Sequence, residues 1–291
     1  MKGLIGLSAA LFFGAAGMAG AQGGERCLNP AQVRDADVQR NAAVLGAGIC
    51  ISQIAIEEDG LSWRFTVIEN TRHRRGPTIF LLHDNEQSAF DTAVYGIRRY
   101  GGKIVAVEAG DGREFRGQDP NRNFGTSKAG TVTCREMRRK PAPIFTRVLM
   151  DLRNTRPGFV LTLHNNANGH SGNGGSGGIS AARQSAAMTG RMAPGDGDED
   201  DAILLAGTRP LDRNAGAQDV IARLHRAKVN AIYEHVRPDR NDCSLSNYVV
   251  LNNLGTYYNI EAQHGHTAQQ KRMLDILMQM ERVKVRDKAV R

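Results

Sequence analysis

The stretch Thr78-Ile79-Phe80-Leu81-Leu82-His83-Asp84-Asn85-Glu86 decides how this chain is read. An apolar run delivers a histidine and, three positions on, a glutamate. If the run is a buried strand ending at His83 and a helix begins just after it, both side chains converge at the strand's carboxyl end. An imidazole nitrogen and a carboxylate oxygen suit a borderline metal such as zinc. His-x-x-Glu alone arises often by chance, so its weight depends on what the rest of the chain brings to the same place.

Working outward, Ile49 to Glu57 and Ser62 to Glu69 flank Asp59-Gly60 and predict an antiparallel hairpin. Pro77 to Leu82 is the buried strand. Gln87 to Tyr100 has helical periodicity through Phe90, Ala93, Val94 and Ile97 and stops at Gly101-Gly102. Lys103 to Val107 predicts a strand, Ala142 to Leu152 a helix, and Phe159 to Leu163 a strand that delivers His164. Val220 to Ile232 predicts a helix, Gly255 to Ile260 a strand, and Ala268 to Val283 a closing helix. Strands alternating with helices imply an α/β fold: a mixed, mostly parallel twisted sheet with helices on both faces. Ligands of such sheets collect at the carboxyl ends of the strands, where His83, His164 and Glu261 all fall. No internal repeat or Pro-rich linker divides the chain, which predicts one domain over residues 22–291.

Three later segments complete a pattern: Asp119-Pro120-Asn121-Arg122-Asn123-Phe124, then Leu161-Thr162-Leu163-His164, then Tyr257-Tyr258-Asn259-Ile260-Glu261. Together with His83 and Glu86, and in this order, they resemble the zinc carboxypeptidase family, over roughly residues 75 to 270. That superfamily also includes the aspartoacylase-like deacylases. The resemblance implies one Zn2+ per chain held by His83, Glu86 and His164, with a fourth position open to water. It implies that Glu261 is the general base, taking a proton from water and passing it to the leaving amine. Asn121 and Arg122 match the pair that binds a substrate's terminal carboxylate, for which a planar guanidinium fork is suited. A further arginine usually polarises the carbonyl; Arg113 and Arg116 both lie nearby, and the reading leans to Arg116. The family's substrate-capping tyrosine has no clear counterpart, Tyr248 and Tyr233 being the candidates. His264 and His266 follow Glu261 on alternate positions, so one of them could reach substrate. The gap from Glu86 to Asn121 is shorter than in the digestive enzymes, as in compact bacterial relatives and the deacylases.

At the N-terminus Lys2, the apolar stretch Leu4 to Phe13 and Ala19-Gly20-Ala21 read as a secretory leader over residues 1–21. The apolar stretch is short for a bilayer span, so the expectation is removal, no stable membrane insertion, and a periplasmic or secreted location. All four cysteines, Cys27, Cys50, Cys134 and Cys243, then lie in an oxidising compartment, and proximity favours Cys27–Cys50 as the first pairing. The net charge of +8 draws anionic partners or simply favours solubility. Basic residues are dispersed and aromatics few, which argues against nucleic acid. Asn165 to Gly178 reads as a mobile loop and Pro194 to Asp201 as a solvated acidic loop without the full EF-hand pattern.

The expected activity is an exported zinc carboxypeptidase acting on a peptide with a free C-terminal carboxylate, with peptidoglycan stem peptides (muropeptides) the natural substrate by location. Two rivals stand beside it: a zinc deacylase of N-acyl amino acids, and a non-catalytic envelope-binding protein that retains the fold.

Overall fold

A computed structural model of the chain describes residues 27–125, 142–167 and 201–290. The leader, the 194–200 acidic run and most of the Asn/Gly-rich loop lie outside the described residues. All eight described strands belong to one sheet, in the order β1-β2-β4-β3-β5-β8-β6-β7. The hairpin forms as its sequence dictates: β1 (Ile49–Glu58) and β2 (Leu61–Asn70) pair across a two-residue turn at Asp59 and Gly60. Both turn residues have positive φ, 50° and 74°, the geometry that matches the twist of the flanking strands.

The centre of the sheet is parallel. β3 (Thr78–Leu81) lies between β4 (Lys103–Glu108) and β5 (Phe159–Asn166), and β8 (Thr256–Gln263) continues beyond β5. β6 (Ala202–Gly207) then runs antiparallel to β8 and parallel to the edge strand β7 (Asn230–His235). The central strands are buried almost throughout, as a sheet covered on both faces requires. α1 (Ala36–Arg40), α2 (Gln87–Tyr100), α4 (Ala215–Arg226) and α6 (Thr267–Met280) pack into one apolar layer. α3 (Pro143–Asp151) and α5 (Leu245–Leu251) pack into the other, through Phe145, Leu149, Leu245 and Val249. The α/β expectation therefore holds.

Two connections matter for the site. α2 gives way to β4 at Gly101-Gly102, where a Cβ on Gly102 would meet the Pro77 carbonyl oxygen at 1.9 Å. Only glycine lets the chain turn that tightly beside β3. α3 has no local cap: its N-cap is Ala142 and its first residue is a proline. The buried carboxylate of Glu58, at the end of β1, accepts from the Ile144 and Phe145 amides instead, each at 2.8 Å.

The sequence misplaces one helix and omits three elements. The helix expected over Val220 to Ile232 is α4, ending at Arg226, and the chain turns at Lys228 (φ 59°) into β7. No glycine or proline separates Leu224 from Val229, Ala231 and Ile232, so the sequence does not show the change of period; pairing with β6 decides it. α1, β6 and α5 are the unanticipated elements. Cys27 and Cys50 form the expected disulfide, with Cα atoms 4.8 Å apart, and Cys243 is also disulfide-bonded. Among the described residues no helix is long and apolar enough to cross a membrane.

Candidate metal centre and cavity

β3 ends at Leu81, two residues before His83, and Glu86 occupies the N-cap of α2. β5 carries His164 in line with Glu261 on its parallel neighbour β8. Three side chains from separate segments thus meet: His83 Nδ1 lies 2.8 Å from Glu86 Oε1, and His164 Nδ1 lies 2.9 Å from Glu86 Oε2. The two imidazole rings are 4.7 Å apart. One donor atom from each residue falls within 4.8 Å of the others, and all three residues are buried. Two nitrogens and a carboxylate at that spacing form a donor set that could hold a divalent metal ion.

A further acid, Asp119, holds the far side of His83. Its Oδ1 stands 3.0 Å from His83 Nε2 and also accepts from the Asn121 amide at 2.8 Å. With Nε2 engaged, Nδ1 is the nitrogen turned toward Glu86. Arg113 reaches the same place, with Nη1 3.3 Å from His83 Nδ1 and Nη2 3.6 Å from Asp119 Oδ2. The loop carrying Arg113 is pinned by Asp84, whose Oδ2 accepts from the Ala109 and Asp111 amides.

The charges support one another. Burial alone would lower the His83 pKa, but Glu86 and Asp119 outweigh it and raise it to about 9. Burial would raise Glu86, yet the adjacent His164 and His83 bring it down to about 2. Asp119 is likewise held well below the usual carboxylate range: His83, Arg113 and Arg122 together overcome its burial. A second acidic group, Asp35, Asp84 and Glu108, lies apart from this centre. There burial, then the charge of Asp35, pushes Glu108 up to about 9, so that it is protonated at neutral pH.

A cavity of about 570 Å³ opens over the cluster. Its walls bring together His83, Glu86, His164, Asn121, Arg122, Glu261 and His264, all expected from the sequence. Asn121 Oδ1 accepts from the Leu245 amide at the start of α5, fixing the loop against that helix. Arg122 spends Nη1 on the Asn121 carbonyl and sets Nε 3.5 Å from Asp242. Glu261 accepts from Asn259 Nδ2 at 2.8 Å. His264 lines the cavity, whereas His266 turns to Asp201, 3.1 Å away.

Three candidates from the sequence are not brought to the cavity wall. Arg116 adopts φ 50° and places its guanidinium over the Phe115 ring at 5.6 Å, and the arginine that lines the cavity is Arg113. The backbone direction at residue 116, which a sequence does not display, separates the two. Tyr248 packs against Phe124, with ring centroids 6.0 Å apart, and Tyr233 donates to the Arg209 carbonyl; neither lines the cavity. Tyr257 does, with its hydroxyl 2.9 Å from Thr162 Oγ1. Sequence reasoning missed the contacts of Asp119 and Tyr257. Asp119 stands within the quoted D-P-N-R run, three residues before Arg122, and that spacing was the available signal.

No family model matches the chain, and no curated protein does. Among solved structures it is similar to a provisionally named metallopeptidase from Shewanella amazonensis, at 9% identity over 84% of this chain and 93% of that one, with a TM-score of 0.47. It is also similar to a second such protein from Shewanella denitrificans, at 10% identity over 84% and 86% with a TM-score of 0.40. A third is the LapA aminopeptidase of Legionella pneumophila, at 10% identity over 85% of this chain and 60% of that one, with a TM-score of 0.39. These likenesses are too distant to carry an argument about activity, which rests on the residues themselves.

Proposed function

We propose that this chain is an exported zinc-dependent carboxypeptidase, acting on peptides with a free C-terminal carboxylate and, outside the inner membrane, on peptidoglycan stem peptides. The observation that carries the reading is one cavity in which His83, Glu86 and His164 sit beside Glu261, with Asn121 and Arg122 on the wall. A zinc ion held by the three would polarise the scissile carbonyl and lower the pKa of a water molecule. Glu261, directly across the β5–β8 pairing from His164, removes the proton from the attacking water and returns it to the departing amine. Arg122, with Nε and Nη1 engaged inside the protein, presents the rest of its fork to the terminal carboxylate. Asn121 offers its amide NH2, since its oxygen is committed to α5. Arg113, beside the cluster, is placed to meet negative charge developing on the carbonyl oxygen.

The test is metal analysis of the purified chain, followed by mass spectrometry of peptides, muropeptides and N-acyl amino acids incubated with wild type and Glu261→Gln. The reading expects stoichiometric zinc in both proteins and release of C-terminal residues by wild type alone, slowed roughly 10²–10⁴-fold in the variant. Turnover confined to acyl amino acids would establish the deacylase instead. Envelope binding that persists unchanged in Glu261→Gln, without turnover, would establish the binding protein.

A further inference from the structure

Another cavity, of about 450 Å³, opens where β1 begins and β2 ends. Glu69 pairs there with Lys103, and Lys103 with Thr78, so this is the amino end of β3 and β4, opposite the metal centre. Three guanidiniums from separate segments stand on its wall: Arg72 from the β2–β3 loop, Arg98 from the last turn of α2, and Arg286 from the C-terminal tail. Among the described residues the wall carries a single carboxylate, Asp287, whose Oδ1 accepts from the Ala289 amide at 2.9 Å. None of the three arginines forms an ion pair or a side-chain hydrogen bond among the described residues. Nearby cations do: Arg74 and Lys103 lie 3.5 Å and 3.3 Å from Glu69, and Arg99 lies 3.5 Å from Asp275.

The wall is held in place by its backbone. Asn70, itself buried, accepts from the Arg72 and His73 amides at 3.1 Å and 3.0 Å and donates to the Ile97 carbonyl at 2.9 Å. Arg72 then folds across Gly48, where a Cβ would stand 2.8 Å from Arg72 Nε. The Arg286 and Asp287 amides both donate to the Arg99 carbonyl, which fastens the tail to α2. A helix C-terminus ordinarily repels an anion through its free carbonyls. Here the Ile97 and Arg99 carbonyls are already covered by Asn70, Gly101 and the tail amides.

Three unpaired guanidiniums against one carboxylate leave a surplus of positive charge in a recess. Guanidinium forks pair with two phosphate oxygens at once, and a phosphate monoester carries about −1.5 to −2 at neutral pH. We propose that this cavity binds a phosphate monoester, with Arg72, Arg98 and Arg286 holding its oxygens. The volume is in the range of small-molecule sites, so part of the esterified molecule enters with the phosphate. The proposal is independent of the peptidase reading.

The test is calorimetric titration of the full, metal-chelated chain with inorganic phosphate, in enough chloride to screen scattered surface charge. Wild type should bind phosphate saturably. Arg72→Met and Arg98→Met should each weaken binding at least about tenfold, and Arg286→Met serves if either fails to fold. Arg226→Met makes the same charge change at an exposed position of α4 outside the cavity wall and should leave affinity within about twofold. Sedimentation with phosphatidylcholine vesicles, with and without phosphatidic acid, identifies the source of the ester. Capture by phosphatidic acid that Arg72→Met abolishes assigns the ester to a lipid headgroup; phosphate binding without capture assigns it to a soluble molecule. No saturable phosphate binding by wild type, affinity unchanged in the cavity variants, or an equal loss in Arg226→Met overturns the inference.

Discussion

Replacing Asp119 by asparagine isolates what its charge does for the metal centre. Asp119 Oδ1 accepts from two directions, His83 Nε2 at 3.0 Å and the Asn121 amide at 2.8 Å. An asparagine oxygen can keep both contacts, so the shape survives and only the negative charge is lost. Carboxylates that hold a metal-binding imidazole by its outer nitrogen strengthen it as a donor, and losing one costs roughly 10–100-fold in affinity, or about 1.4–2.7 kcal/mol. A second effect opposes this. Asp119 also helps raise His83 to about 9, so at neutral pH a proton competes with the metal for Nδ1. Removing Asp119's charge weakens that competition. The loss of zinc affinity should therefore be modest at pH 7 and approach the full range above pH 9, where His83 is neutral in both proteins. Zinc titrations in chelator-buffered solution at pH 7 and 9.5 measure both, with thermal melts of the chelated protein reporting on folding. Affinity within twofold of wild type at pH 9.5, in a folded variant, refutes the assigned contact.

Stability of the chelated protein should vary with pH in a fixed sense. Glu86 sits at about 2 against an ordinary 4.5, so its stabilisation is present above 4.5 and fades as pH falls through 2; His83 sits at about 9 against 6.5, so its stabilisation is complete below 6.5 and lost as pH rises through 9. Glu234 and Glu108, raised from 4.5 to about 8 and 9 by burial, weaken the fold progressively as pH climbs above 4.5, so melting temperatures should peak near pH 4.5 and decline from there, and a continued rise toward pH 9 would contradict these assignments. Arg122→Met should raise KM far more than it lowers kcat on an unmodified peptide and do little on the C-terminal amide; equal effects on both would remove the carboxylate role. Glu58→Ala strands two amides at the start of α3 and should cost about 1–2 kcal/mol by chemical denaturation, with zinc binding retained.

Much of this candidate site was readable in the chain because three of its residues end apolar runs. His83, His164 and Glu261 are marked by what precedes them, and a parallel sheet brings such strand ends together. What the sequence conceals depends on contacts between distant segments. The choice of Arg113 over Arg116 turns on one backbone angle and on Asp84 gripping the Ala109–Asp111 turn. α3 looks poorly started on its own sequence, since its cap is contributed by Glu58, 86 residues earlier. The boundary between α4 and β7 is hidden because no glycine or proline marks it. Glu234 looks like any strand-end acid, and only the fold shows that it is fully buried with Asn247 donating to it.

The Cys27–Cys50 bridge has a consequence at the opposite end of the sheet. β1 is an outermost strand, and the Leu28 amide, next to the bridge, donates to the Ile51 carbonyl at 2.8 Å. The covalent tie keeps the entering chain against that rim and occupies a backbone acceptor that a neighbouring molecule could otherwise use to extend the sheet. Breaking the bridge would free the rim, so self-association through β1 is the hazard that the disulfide suppresses.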